Sequence, residues 1–169
     1  MKNDPSISEI ATTPAEVVRL NREAWDLVVR DPIRGGEVAS RALDAAVAIR
    51  DVYGEINARL NIAWSRIFLA DYRRAQNDLE LARTLVTNSS GTSESVAEHD
   101  IQYPDLACKV ENAYGVALHG LADFSGAIDR YNESYALAER YELPRRQVAA
   151  LNNIGEVELA LRNLPTAKE

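Results

Sequence analysis

Three short stretches of this chain superpose residue for residue: Asp71-Tyr72-Arg73-Arg74-Ala75, Asp123-Phe124-Ser125-Gly126-Ala127 and Asn163-Leu164-Pro165-Thr166-Ala167. Asp31-Pro32-Ile33-Arg34-Gly35 is a fourth, weaker copy. The step is forty residues from Gly35 to Ala75, fifty-two to Ala127, and forty again to Ala167. The segment Gly115 to Ser134 shows what recurs. One helix ends, Asp123-Phe124 turns the chain, and a second helix begins. Small residues (Gly115, Ala127, Ser134) sit where two helices must approach, and Leu118, Phe124 and Tyr131 fill between them. A helix-turn-helix unit at such a period implies stacked hairpins that bury their apolar faces against each other.

The rest of the chain agrees. Ala, Leu, Glu and Arg dominate, and apolar positions recur at helical spacing, so the fold class is all-α. At 169 residues one domain, 1–169, is expected. Its pairs are read at about 14–51, 52–87 and 104–143, with a cut-short fourth at 144–169. Thr13-Pro14-Ala15-Glu16 starts the first helix, with Glu16 placed to close a capping box. Gly35 and Gly36 weaken the start of the second helix, and close packing of the first helix there accounts for them. Pro104 and Pro144, forty residues apart, open the fifth and seventh helices. Residues 1–12 are polar and expected to fray. Residues 88–103 contain the Ser/Thr/Gly-rich run that makes up the twelve-residue excess, read as a surface loop. Pro165 would open an eighth helix, so the chain reads as a fragment of a longer protein. The face expected to lack its partner carries Ile154, Val157, Leu159 and Leu161, which suggests a homodimer through the C-terminal helices.

Composition also limits function. The formal charge of -7 argues against nucleic acid as a partner. No apolar run is long enough to span a membrane, and no signal peptide opens the chain. A single cysteine, Cys108, permits no internal disulfide and fits a cytoplasmic location; it reads as a small buried hydrophobe. No phosphate loop, paired-cysteine, zinc or nucleophile motif is present, so this segment is read as no enzyme, with no cofactor and no metal.

The register resembles the tetratricopeptide repeat. That family sets Gly or Ala twelve residues before an Ala, with an aromatic four further on. Gly115, Ala127 and Tyr131 match fully. Ala63 and Ala75 match with Leu79 in the aromatic slot, Gly155 and Ala167 match, and the first copy departs with Glu23, Gly35 and Ala39. The resemblance implies an alpha-alpha superhelix, right-handed, of the extended variety with units nearer forty residues. It also implies that the first helix of each pair lines a concave groove for a protein or peptide ligand. Asn21, Asn61 and Asn153 share one slot on those helices, and Asn112 and Asn152 share the slot one residue earlier. Asn57, Trp64, Lys109, Val116, His119 and Glu156 lie on the same faces. An Asn amide offers a donor and an acceptor to an extended peptide backbone; the alternative is that these Asn bridge neighbouring helices. Leu20, Asn21, Ala24, Trp25, Asp31 and Pro32 resemble the start of repeat segments that precede bacterial diguanylate cyclase or histidine kinase domains. That likeness implies a regulatory sensor segment in signal transduction. A free-standing scaffold or a segment of a peptide-sensing transcriptional regulator is the alternative.

Overall fold

The computed structural model describes residues 13–88 and 101–163. The expected fraying of the N-terminus, positions 89–100 of the surface loop and the eighth helix from Pro165 fall on residues outside these; at the loop's far end Ile101 and Tyr103 pack on the core. Among the described residues there are seven α-helices and no strand: α1 (Pro14–Val28), α2 (Pro32–Ile49), α3 (Val52–Phe68), α4 (Tyr72–Asn88), α5 (Pro104–Gly120), α6 (Phe124–Arg140) and α7 (Pro144–Asn163). Asn88, read from sequence as the start of the loop, closes α4 instead.

Each helix starts and stops for local reasons. The side chains of Thr13, Asp31, Asp51 and Asp123 accept from the backbone N–H three residues on, at 3.2, 3.2, 2.9 and 3.0 Å, satisfying donors that a first turn leaves orphaned. Glu16 does not close the capping box; both its oxygens accept from Arg19 instead, at 2.9 and 2.7 Å. Pro14, Pro32, Pro104 and Pro144 occupy first-turn positions where no N–H is missed. Four ends share one stop. Arg50, Ala70, Ala122 and Glu142 adopt positive φ of 54 to 60°. The next residue's N–H then reaches back to the carbonyls of Ala46, Arg66, Leu118 and Ala138, the Schellman arrangement that caps a helix C-terminus.

Sequential packing makes the helices an alpha-alpha superhelix of antiparallel hairpins. Every helix packs on the next, and α1, α3, α5 and α7 also pack on one another in that order, whereas α2 and α4, or α4 and α6, do not. The odd-numbered helices are therefore an inner layer and the even-numbered ones an outer layer. The largest core cluster joins α3, α4 and α5 through Ile56, Leu79, Leu106 and Val110, with a second around Leu20, Ala39 and Ile62 and a third around Leu118, Tyr131 and Val157.

The small slots are closed as the register requires: Ala75 and Ala127 are fully buried. A Cβ on Gly35 would stand 2.8 Å from the backbone of Val28, so α1 and α2 touch there at main-chain distance. A Cβ on Gly115 would stand 2.4 Å from the Tyr131 ring. Trp25 is half exposed. The expected uncovered face of α7 is corrected in part. Val157 is fully buried and Ile154 packs beside it against Leu118 and Tyr131, because that side of α7 faces α5 and α6. The exposed apolar side chains of α7 are Val148, Leu151, Leu159 and Leu161.

Candidate functional site

The inner layer forms an open groove of about 520 Å³. Its walls come from α1 (Val17, Val18, Asn21, Arg22, Trp25), α3 (Tyr53, Gly54, Asn57, Leu60, Asn61, Trp64), α5 (Lys109, Asn112) and α7 (Arg146, Ala149), with Ser134 of α6 at its floor. Three-to-four-residue spacing on each first helix, as in Asn21, Arg22 and Trp25 or Asn57, Asn61 and Trp64, points one face inward. Stacking the hairpins then sets these faces side by side.

The asparagines hold the walls together. Asn21 Nδ2 donates to the Gly54 carbonyl at 3.1 Å. Asn61 Nδ2 donates to the Asn21 carbonyl at 3.0 Å and to Asn21 Oδ1 at 3.1 Å. Forty residues apart in sequence, these two amides lock α1 to α3. Asn153 Nδ2 donates to Asn112 Oδ1 at 2.8 Å and locks α5 to α7 the same way. Asn57 Nδ2 donates to the Tyr53 carbonyl of its own helix at 3.0 Å. The bridging role weighed from the sequence is therefore present, in residues that also line the groove.

Aromatic rings gather toward the C-terminal turns of α1 and α3. Trp25 meets Trp64 edge-on with centroids 6.4 Å apart, and Trp64 meets Phe68 at 5.9 Å. Trp25 and Phe68 each expose 49% of their surface, unusually much apolar area for one spot on a folded chain. At the N-terminal turns Tyr53 and Tyr103 form a second edge-on pair at 5.1 Å.

Cations line the groove as well. They are Arg22, Lys109 and Arg146, and among the described residues no carboxylate joins them on its walls. Asp105, one turn before Lys109, holds two of them. Its Oδ1 accepts from Arg146 Nε at 2.6 Å, its Oδ2 accepts from Arg146 Nη2 at 3.2 Å, and Lys109 Nζ lies 2.8 Å from Oδ2. Burial works to raise the Asp105 pKa, but hydrogen bonds from Arg146 and Lys109 outweigh it and the net shift is downward. Cys108 beside it is fully buried, and its thiol is pushed up to about 11 by burial and then by Asp105; such a thiol is a poor nucleophile at neutral pH.

Of the sequence-selected residues, Asn21, Asn57, Asn61, Trp64, Lys109 and Asn112 come together on the groove wall. Asn153 touches it only through Asn112. Val116 packs into the core between two clusters, and His119 turns edge-on to Phe124 at 5.6 Å. Asn152 and Glu156 are exposed on α7, off this wall. Sequence reasoning missed Arg22, Trp25, Tyr53 and Arg146. They break the register: Trp25 is one position off the slot of Trp64, and Arg146 answers to Leu106 forty residues earlier. Only the stacking of α1 and α7 about the middle helices gives them a shared site.

No group of three or more His, Cys, Asp or Glu able to hold a metal occurs among the described residues, and no described helix is long and apolar enough to cross a membrane. No family model and no curated protein matches the chain in sequence comparison.

Proposed function

We propose that this chain is a repeat module of the tetratricopeptide kind that binds a protein or peptide in the groove of its inner layer. The observation that supports it most is the groove itself: five helices contribute to one open groove with exposed aromatic rings and polar side chains on its walls. Recognition sites are concave and largely apolar, with a few placed polar groups. Asn112 Oδ1 accepts from Asn153, and its Nδ2 is a further donor on a residue that lines the groove. Selection of peptides from a displayed random library tests the reading. Enrichment on the wild-type chain is expected, with affinity lost about tenfold or more in a Trp25→Ala, Tyr53→Ala variant, since half-exposed aromatics carry much of such binding. A library that never enriches above that variant would reject the groove as a ligand site.

The regulatory role, as the sensor segment of a bacterial signalling protein such as a diguanylate cyclase, is carried by the likeness of Leu20, Asn21, Ala24, Trp25, Asp31 and Pro32. Reading the gene downstream tests it: a cyclase or kinase domain supports the sensor, and an immediate stop supports a free-standing scaffold. A second partner is favoured by α7, where Val148, Leu151 and Leu159 form an exposed apolar stripe around Gly155. Two copies crossing at Gly155 would bury it symmetrically. Light scattering checks this pairing: Leu151→Glu with Leu159→Glu should leave a monomer, and a wild-type monomer at high concentration rejects it.

A further inference from the structure

The exposed side chains of two hairpin turns are of only two kinds, apolar and arginine. On the α1–α2 turn they are Val29 and Ile33, each 62% exposed, with Arg30 and Arg34. On the α3–α4 turn they are Phe68 and Leu69, each 49% exposed, with Ala70, Arg73 and Arg74. The carboxylates of these turns, Asp31 and Asp71, are half-buried. Asp31 caps α2 at the Arg34 N–H. Asp71 lies 3.4 Å from Arg74, whose side chain stays 74% exposed, and pairs at such exposure are held weakly. Ser65 Oγ donates to the Pro32 carbonyl at 2.7 Å, which sets the two turns side by side at one edge of the superhelix. The equivalent turn between α5 and α6 departs: Leu121 and Phe124 are half-buried, and Asp123 and Ser125 are exposed. Among the described turns, an apolar and basic edge on a chain of net charge -7 belongs to the first two hairpins.

None of these side chains lines the groove or the smaller cavity bounded by α4, α5 and α6. A protein partner anchors its binding in packed recesses. A bilayer surface instead takes protruding apolar side chains into its headgroup boundary and draws basic residues to anionic lipid. We propose that this edge docks the chain on an anionic lipid surface, with Val29, Ile33, Phe68 and Leu69 among the headgroups and the four arginines against lipid phosphates. The chain then lies on the bilayer and does not cross it. The edge shares no residue with the groove lining, so lipid docking and peptide binding stand or fall separately.

Co-sedimentation of the whole chain with vesicles tests this. Vesicles of phosphatidylcholine mixed with phosphatidylserine should carry the chain down, phosphatidylcholine alone should not, and added salt should release it. Ile33→Ser with Leu69→Ser should weaken binding about tenfold or more, since both supply apolar area to the interface. Arg34→Gln with Arg73→Gln should also weaken it about tenfold or more, as each basic residue near an anionic surface is worth about fivefold. Both arginines are exposed, so this pair is the independent arm should the first melt early. Val47→Ser with Leu81→Ser removes comparably exposed apolar side chains of the outer layer and should bind as wild type does. A chain that stays in solution with the phosphatidylserine vesicles at low salt overturns the proposal and leaves the edge to a protein partner. Undiminished sedimentation of both edge variants also overturns it, because the lipid contact then lies elsewhere. Equal loss in the Val47→Ser, Leu81→Ser variant overturns it as well, since general adhesion would then account for the binding.

Discussion

Helices α5 and α7 lie forty residues apart in register, and three equivalent positions meet opposite surroundings. Cys108, Glu111 and Gly115 of α5 are buried; Val148, Leu151 and Gly155 of α7 are exposed. On α5, Ser134 Oγ donates to the Cys108 carbonyl at 3.0 Å, Arg130 Nη1 donates to Glu111 at 3.1 Å, and the Tyr131 ring fills the space over Gly115. All three partners belong to α6. Among the described residues, a Cβ on Gly155 would meet nothing within 4 Å. The same slot is a packing constraint in one helix and a free position in the other. What differs among the described residues is the neighbouring helix, not the residue: α6 lies over these positions of α5, and no described helix lies over those of α7.

The largest expected effect tests the filled side. Tyr131 is 1% exposed, and its hydroxyl is pushed well above its ordinary pKa by burial and then by Glu156. Tyr131→Ala should cost about 3–5 kcal/mol, the range for deleting a buried aromatic ring. Urea denaturation measures it, and a loss under about 1 kcal/mol would mean that the α5–α6 seam is not organised on this ring.

Next comes the glycine beneath it. Gly115→Ala puts a methyl 2.4 Å from the Tyr131 ring edge. The added helix propensity favours Ala by about 1 kcal/mol, but overpacking costs about 1–3 kcal/mol. The net change should be destabilising, and it should vanish in the Tyr131→Ala background because the clash has no partner there. Additivity of the two substitutions would break the comparison.

A smaller effect separates Glu111 from its α7 counterpart Leu151. Burial raises the Glu111 pKa from 4.5 despite Arg83 and Arg130, whose bonds oppose it. With the folded-state pKa above the unfolded one, the folded protein binds the extra proton. Its contribution is present below the unfolded value and is lost as pH rises through the folded one. Glu111→Gln should therefore gain on wild type as pH rises from acid to neutral. Denaturation curves at both ends of that range check the sign; a Gln variant that falls behind at neutral pH would show that the two arginines outweigh burial.

Much of the fold was legible because its signals are local. Proline and aspartate at helix starts, and the small slots Ala75 and Ala127, follow from spacing alone. The loss of the capping box at Glu16 was not legible, since Arg19 competes for the same carboxylate at 2.7 Å. The burial of Val157 was not legible either, because α7 shows apolar residues on two faces and only packing against Leu118 and Tyr131 selects one. The candidate site divides in the same way. The asparagines keep the repeat period and were found. Arg22 and Arg146 do not keep it, and they converge through the stacking of separate helices.

The smallest effect tests the open side. Gly155→Ala introduces a methyl into space that no described atom occupies within 4 Å. Gly in a helix interior is less favourable than Ala by about 0.5–1 kcal/mol, through the freedom it loses on folding. Gly155→Ala should therefore stabilise the chain by about that amount, opposite in sign to the same change at Gly115. Thermal melting of dilute protein reads it, and a rise of a few degrees is expected for a chain of this size. Concentration sharpens the result. If α7 packs on a second copy across Gly155, the methyl intrudes on that contact, and the gain seen in dilute solution should shrink or reverse as concentration rises. A gain that holds at every concentration leaves Gly155 facing water; a loss even in dilute solution would mean that the slot is filled as Gly115 is.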